Sequence, residues 1–157
     1  MDLIPSFQVD HTKLLPGIYV SRIDTVGTDF VTTFDVRMKK PNLEPVLHPN
    51  AIHTIEHIVA TFLRNDAEWK DRIVYWGPMG CLTGNYLIVK GRPTPQEISP
   101  LLIRAFEHCR DYDDAVPGTT PEACGNYLLH DLQMARYEAG LFADILKNHP
   151  CFEYPKA

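Results

Sequence analysis

The hydrophobic and polar positions along the chain separate into short segments rich in β-branched and aromatic residues and longer segments with helical spacing. The short segments predict four strands, at residues 17–23, 28–38, 72–77 and 83–91. The helical spacing predicts three helices, at residues 50–64, 93–112 and 126–148. Thr94 is predicted to be the N-cap of the second helix, between two prolines that open it.

Pairs of strands interrupted by helices predict an α+β fold, in which helices pack on a mainly antiparallel sheet. The chain has 157 residues, of which 45% are hydrophobic, and this length and composition suit one domain with one core. We therefore expect residues 1–157 to form a single two-layer domain. The third helix is expected to contribute a core stripe made of Leu128, Leu132, Ala135 and Ala139.

Net charge and the absence of long apolar runs in the sequence limit the classes of partner. The formal net charge of −5 disfavours nucleic acid or an anionic membrane as the main partner. No apolar run approaches the length of a transmembrane helix, and the first residues lack the pattern of a signal peptide. We expect a cytoplasmic protein whose four cysteines stay free in a reducing compartment.

The segment 51–62 carries the most informative motif, with two histidines and a glutamate inside five residues. Because a helix advances by about 100° per residue, His53, Glu56 and His57 share one face. Histidines at positions i and i+4 can bind one metal ion, and the glutamate beside them is free to move protons. The opposite face carries an apolar stripe for packing on the sheet, made of Ile52, Ile55, Val59, Phe62 and Leu63.

A metal site on this helix needs a third protein ligand, because catalytic zinc-type centres use three and leave one position open. The candidates are two cysteines in glycine-flanked turns, Cys81 in PMGCLTG and Cys124 in EACGNY. Cys124 precedes the third predicted helix, whose positive N-terminus would favour its thiolate. The spacing does not decide which cysteine binds the metal and which takes part in the chemistry.

The order His-x-x-Glu-His resembles the inverzincin motif of metallopeptidases, in which the glutamate activates a water molecule. Inverzincins are much larger and use a glutamate as their third ligand, whereas this chain is short and offers cysteines. A small metallopeptidase is therefore one alternative function. A non-catalytic metal-binding module, closed by Cys81 as a fourth ligand, is another.

A second resemblance spans most of the chain and is to the S-ribosylhomocysteine lyase (LuxS) family. Four blocks carry it in order: SFQVDHT (6–12), FDVRM (34–38), IHTIEH (52–57) with PMGCLTGNY (78–86), and ACGNYLLHDL (123–132). The family is structurally related to the inverzincins, which accounts for the shared motif. The resemblance implies a metal-dependent carbon–sulfur lyase that converts S-ribosylhomocysteine to homocysteine and 4,5-dihydroxy-2,3-pentanedione, the autoinducer-2 precursor.

The resemblance also implies the residues of the active centre. His53, His57 and Cys124 match the metal ligands of the family, and the metal is typically Fe(2+), replaceable by Zn(2+) or Co(2+). Cys81 matches the catalytic cysteine, and Glu56 matches the second acid/base.

The same resemblance implies which residues bind the substrate and how the subunits assemble. Ser6, His11 and Arg37 match residues that bind or orient the substrate. The family forms homodimers with two active sites at the interface, so these three residues would serve the metal of the neighbouring subunit. His130, in the last matched block, is expected to be either a turn or capping residue or a support for the metal ligands.

The chain departs from the family pattern immediately before PMGC. The family usually has aspartate, an aliphatic residue and serine there, whereas this chain has Tyr75, Trp76 and Gly77. That segment tends to hold the amino-acid end of the substrate, so the departure bears on recognition of the homocysteine portion.

Overall fold

The computed structural model describes residue 2 and residues 4–155. Its helices are α1 (Pro5–Gln8), α2 (Pro49–Asn65), α3 (Pro95–Asp111) and α4 (Leu132–Asn148), with a short 3-10 helix at Lys70–Arg72. Its strands are β1 (Gly17–Val26), β2 (Asp29–Arg37), β3 (Ile73–Pro78) and β4 (Gly84–Lys90). The short helix α1 and the 3-10 helix were not among the predicted elements. Among the described residues, no helix is long and apolar enough to cross a membrane.

The four strands form one antiparallel sheet in the order β1-β2-β4-β3. Strands β1 and β2 are joined by a two-residue turn in which Gly27 adopts a positive φ of 63°, a conformation that glycine tolerates best. Helices α2, α3 and α4 contact one another, and α2 and α3 also contact the sheet. The predicted α+β arrangement of an antiparallel sheet packed by helices is therefore confirmed.

The hydrophobic core lies between the sheet and the three long helices. Phe34 and Val36 of β2 and Leu87 of β4 point into it and are fully buried. The predicted apolar stripe of α2 is confirmed, because four of its five residues are buried in the core and Phe62 is half-buried. Helix α2 therefore packs on the sheet through its apolar face. The face that carries His53 and His57 lies outside this core.

Helix α3 begins where the sequence predicts. The Thr94 side chain accepts a hydrogen bond from the Glu97 backbone N–H, and the Glu97 carboxylate accepts one from the Thr94 backbone N–H at 2.7 Å. This capping box satisfies two backbone donors that the helix leaves free, so the predicted N-cap is confirmed.

Helix α4 begins six residues later than predicted. The Asp131 carboxylate accepts a hydrogen bond from Met134 N at 2.9 Å, so Asp131 is the N-cap and the helix starts at Leu132. The predicted core stripe is wrong at its first position, since Leu128 lies before the helix and is 76% exposed. Ala135 and Ala139, inside the helix, are buried as expected.

The sheet face turned away from the helices is partly covered by the C-terminal segment. Ile18 N donates a hydrogen bond to Cys151 O, and the Tyr154 ring stacks on the Tyr19 ring with centroids 4.7 Å apart. The Tyr154 hydroxyl donates to the Asp35 carboxylate at 3.0 Å. Polar side chains of β2 are consequently buried on this second face, at the end of the strand that precedes the loop to α2.

Removing a core leucine should cost far more stability than removing an exposed one. Leu102 of α3 is fully buried, whereas Leu43, in the loop before α2, is 68% exposed. We expect Leu102→Ala to lower the free energy of unfolding by about 2–5 kcal/mol, because it deletes buried surface and leaves a cavity. Leu43→Ala should change it by less than about 0.5 kcal/mol. Urea denaturation of both variants measures the difference, and equal effects would contradict this description of the core.

Candidate metal centre and neighbouring thiol cluster

Helix α2 places its two histidines on one side with their Nε2 atoms 3.1 Å apart. Each ring is oriented by a backbone carbonyl, because His53 Nδ1 donates to Leu129 O at 2.6 Å and His57 Nδ1 donates to Pro117 O at 2.7 Å. A carbonyl oxygen can only accept, so both Nδ1 atoms carry the proton and both Nε2 atoms present a lone pair. This is the tautomer that an imidazole needs to bind a metal through Nε2.

Cys124 reaches the histidines from the long loop between α3 and α4. Its Sγ lies 3.5 Å from His53 Nε2 and accepts a hydrogen bond from Asn126 N at 3.5 Å. The expectation that this thiol faces a helix N-terminus is wrong, because α4 begins only at Leu132. The local turn, in which Cys124 N donates to Thr120 O, supports the thiol instead.

The donor atoms fit one divalent metal ion. Metal–nitrogen bonds of about 2.0–2.1 Å and metal–sulfur bonds of about 2.3 Å separate tetrahedral ligand atoms by roughly 3.3–3.6 Å. The two separations at His53, 3.1 Å to nitrogen and 3.5 Å to sulfur, lie close to that range. Two imidazoles and a thiolate form a donor set suited to Fe(2+), Zn(2+) or Co(2+) rather than to Mg(2+) or Ca(2+).

His130 joins this cluster, a position that sequence reasoning left undecided. Its ligand atom and those of His53, His57 and Cys124 all lie within 4.8 Å of one another. The His130 ring stacks on the His53 ring at a centroid distance of 4.2 Å. Burial, with the nearby His53 and His57 rings, lowers the pKa of His130 to about 4, so the ring is neutral at pH 7.

Glu56 lies on α2 between the two histidines and is half-buried. Its carboxylate makes no hydrogen bond or ion pair with any residue that the structure describes. A carboxylate without a fixed partner beside a metal-binding face is available to accept and donate protons.

A second group of polar side chains surrounds Cys81, at the end of β2 and the start of β4. Arg37 forms a buried two-bond ion pair with Asp35, at 3.0 and 2.6 Å. Its Nη1 donates to Thr83 Oγ1 at 2.6 Å and lies 3.7 Å from Cys81 Sγ. Within the described residues, no hydrogen bond joins this thiol cluster (Asp35, Arg37, Cys81 and Thr83) to the metal-binding side chains.

The thiol cluster favours the Cys81 thiolate. Partial burial would raise the pKa of the Cys81 thiol, but hydrogen bonds from Thr83 and the charge of Arg37 outweigh it and hold that pKa below its usual value. The Thr83 hydroxyl accepts from Arg37, and since a thiolate can only accept, this hydroxyl donates to the sulfur 3.0 Å away when Cys81 is ionised. Because Cys81 is exposed, its sulfur can reach a bound molecule. Cys109 is buried, and burial raises the pKa of its thiol to about 12, so Cys109 is inert.

The remaining predicted substrate residues line a small cavity on the second face of the sheet. Ser6 and His11 lie there beside Arg37, with Tyr86 and Tyr154 among the other lining residues. His11 Nδ1 donates to Val9 O at 2.8 Å, which leaves the opposite ring nitrogen free to accept. The structure therefore brings Ser6, His11 and Arg37 together, as expected for one binding region.

The segment that departs from the family pattern has two different environments. Trp76 is buried in the core and packs edge-on against Phe106. Tyr75 is 46% exposed on the second face and lines a groove that also contains Ser6 and Tyr86. Gly77 lies under the Tyr75 ring.

Comparisons with known proteins give a consistent result. The family model described as S-Ribosylhomocysteinase (LuxS) matches residues 4–150. The S-ribosylhomocysteine lyase of Phocaeicola vulgatus is 55% identical over 149 residues, which cover 95% of this chain and 92% of that protein. The S-ribosylhomocysteine lyase of Porphyromonas gingivalis is 58% identical over 88% of this chain and 87% of its own length. That of Borreliella burgdorferi is 49% identical over 94% of both chains.

Gly118→Ala should weaken metal binding. Gly118 has a positive φ of 71°, and a Cβ there would lie 3.3 Å from His57 Nδ1, next to the carbonyl that orients this ring. We expect metal affinity to fall by about 10- to 100-fold, the usual effect of disturbing a ligand's supporting group. Gly125→Ala, in the same loop but with open space around its Cβ, is the matched control. Competition with a chromophoric chelator measures both, and an unchanged affinity in Gly118→Ala would contradict this account.

Thr83→Val should raise the pKa of the Cys81 thiol. The substitution removes the hydroxyl that donates to the sulfur, and with it one of the groups that stabilise the thiolate. The fraction of thiolate at pH 7 should fall, so the midpoint of Cys81 alkylation by iodoacetamide should move to higher pH. Mass spectrometry of the modified peptide follows Cys81 alone. A midpoint that stays in place or moves to lower pH would exclude this role for Thr83.

Proposed function

The chain belongs to the S-ribosylhomocysteinase (LuxS) family, and on that basis we propose that it is a metal-dependent carbon–sulfur lyase acting on S-ribosylhomocysteine. Its products would be homocysteine and 4,5-dihydroxy-2,3-pentanedione, the precursor of autoinducer-2. The observation that carries the proposal is the convergence of His53, His57 and Cys124 on one point in a chain that matches this family along most of its length.

We propose that His53, His57 and Cys124 hold one divalent metal per subunit, Fe(2+) with Zn(2+) or Co(2+) as replacements. The nearly tetrahedral spacing of the donor atoms and the two carbonyl-oriented imidazoles support this assignment. When bound, the metal supplies Lewis acidity that makes protons next to a carbonyl group acidic.

Cys81 and Glu56 would move the protons of the reaction. Successive enolisations shift the carbonyl along the ribose until β-elimination can expel homocysteine, and each shift needs a base at carbon and an acid at the adjacent oxygen. The exposed Cys81 thiol, with its lowered pKa, suits the carbon protons. The Glu56 carboxylate, which has no hydrogen-bond or ion-pair partner in the described part of the chain, suits the oxygens and the departing sulfur.

Ser6, His11 and Arg37 would bind and orient the substrate in a homodimer with two active sites at the interface. Their shared cavity and the contact of Arg37 with Cys81 support one binding region on the second face of the sheet. Two exposed apolar side chains that a partner subunit would cover, Ile4 and Tyr75, line the groove that also contains Ser6. Such a dimer would bring this region of one subunit to the metal centre of the other.

We also propose a cytoplasmic location and one lyase domain over the whole chain. All four cysteines are free, as a reducing compartment would keep them. A metallopeptidase or a non-catalytic metal-binding module is not favoured, because the relatives of Phocaeicola vulgatus, Porphyromonas gingivalis and Borreliella burgdorferi are all named lyases.

Cys81→Ala should greatly reduce turnover while metal content stays the same. We expect wild-type, metal-loaded protein to release homocysteine from S-ribosylhomocysteine, detected with a thiol reagent. The variant should be slower by about 10²–10⁴-fold, the usual contribution of a general base. Cys151→Ala is the matched control, since Cys151 lies near the C-terminus and contacts β1.

Two outcomes would contradict these roles. If wild-type protein releases no thiol, the lyase proposal fails. If Cys81→Ala loses its metal in elemental analysis, the roles of Cys81 and Cys124 are exchanged.

A further inference from the structure

The hydrogen bonds around Thr54 fix the tautomer of His130. The Thr54 hydroxyl donates its single proton to Asn50 O at 2.8 Å and accepts a hydrogen bond from Asp131 N at 3.0 Å. His130 Nδ1 lies 3.1 Å from the same oxygen. With the hydroxyl proton already committed, Nδ1 must be the donor in this contact. In the neutral ring, this tautomer leaves a lone pair on His130 Nε2.

That lone pair has no partner. His130 Nε2 is buried from solvent and accepts no hydrogen bond from any described residue. Buried acceptors in folded proteins are nearly always paired, so an unpaired one in a candidate site indicates a missing donor. The ring contacts of His130 with His53 and His57 and its hydrogen bond with Thr54 leave Nε2 without a donor, and a molecule that enters the metal centre can supply one.

The ring geometry argues against His130 as a fourth metal ligand. The rings of His53 and His130 are within 20° of parallel, with centroids 4.2 Å apart. The Nε2 lone pair of an imidazole lies in the plane of its ring. Because the His53 and His130 rings are stacked and do not share a plane, their Nε2 lone pairs would not converge on one ion. A hydrogen bond to a neighbouring hydroxyl tolerates this offset much better than a coordination bond does.

We propose that His130 Nε2 accepts a hydrogen bond from a hydroxyl of the ribosyl group of bound S-ribosylhomocysteine, and so positions the sugar at the metal centre. This inference rests on the proposed function, since the ribosyl hydroxyls are the donors that this substrate brings. The Thr54 hydroxyl orients the His130 ring, because it accepts a hydrogen bond from Nδ1 on the other side of the ring from Nε2. His130 acts on the substrate and leaves the three metal ligands unchanged.

The test uses the cobalt-substituted full-length protein and two substitutions at this position. His130→Asn keeps a donor near Thr54 but removes the acceptor at the Nε2 position. His130→Gln keeps an acceptor near the Nε2 position. His149→Asn, at the exposed C-terminal end of α4, is the control. The absorption spectrum without substrate, the cobalt content and the Kd for S-ribosylhomocysteine, from the spectral change on titration, are measured for each protein.

We expect all four proteins to bind one cobalt ion and to have the same substrate-free spectrum. His130→Asn should raise the Kd for S-ribosylhomocysteine about tenfold, the effect of leaving one hydroxyl unpaired in a buried site. His130→Gln should stay within about threefold of wild type, because it restores an acceptor. His149→Asn should match wild type.

Three results would overturn the inference. A wild-type Kd in His130→Asn would show that Nε2 binds no substrate group. A changed substrate-free spectrum or loss of cobalt in His130→Asn would make His130 a metal ligand or a structural support. A wild-type spectrum that does not respond to S-ribosylhomocysteine would overturn the proposed function and this inference with it, whereas the first two results leave the proposed function in place.

Discussion

The candidate metal centre depends on two hydrogen bonds from imidazoles to backbone carbonyls of a single loop. Leu129 O and Pro117 O accept the Nδ1 protons of His53 and His57, and both belong to the segment between α3 and α4. The same segment supplies Cys124 and His130. One loop therefore selects the tautomer of two ligands and delivers the third. Since a backbone carbonyl can only accept, both contacts leave the Nε2 atoms free to face the centre.

The candidate catalytic groups lie in two places, on helix α2 and at one end of the sheet. The helix is fixed on the sheet by its apolar face, which leaves the histidines and Glu56 on the side that meets the loop. The thiol cluster forms where β2 and β4 end, around a buried Arg37–Asp35 ion pair. The guanidinium remains charged there because, although burial alone would lower its pKa, the Asp35 carboxylate outweighs burial and raises it. A fixed positive charge beside an exposed sulfur is what a reactive thiolate requires.

The sequence predicted the parts of this protein that depend on short-range patterns. The spacing of His53, Glu56 and His57, the strand patterns and the N-cap at Thr94 each depend on a few neighbouring residues, and the structure places them as expected. The start of α4 was missed, because six residues with helical spacing form turns that bring His130 and Leu129 to the histidines. These turns are held by hydrogen bonds between residues 76 positions apart in the chain. The spacing of hydrophobic residues within one segment carries no information about such contacts. The position of His130 could have been suspected only from its place in the Cys124 block.

We propose that one metal ion is bound by two imidazoles and one thiolate, and that Cys81 is not a ligand. X-ray absorption spectroscopy at the metal edge of the purified, cobalt-loaded protein is the decisive measurement, because it counts sulfur and nitrogen ligands separately. We expect one sulfur at about 2.3 Å and two imidazole nitrogens at about 2.0–2.1 Å per metal. Two sulfur ligands, which would place Cys81 on the metal, or no sulfur ligand at all would contradict it.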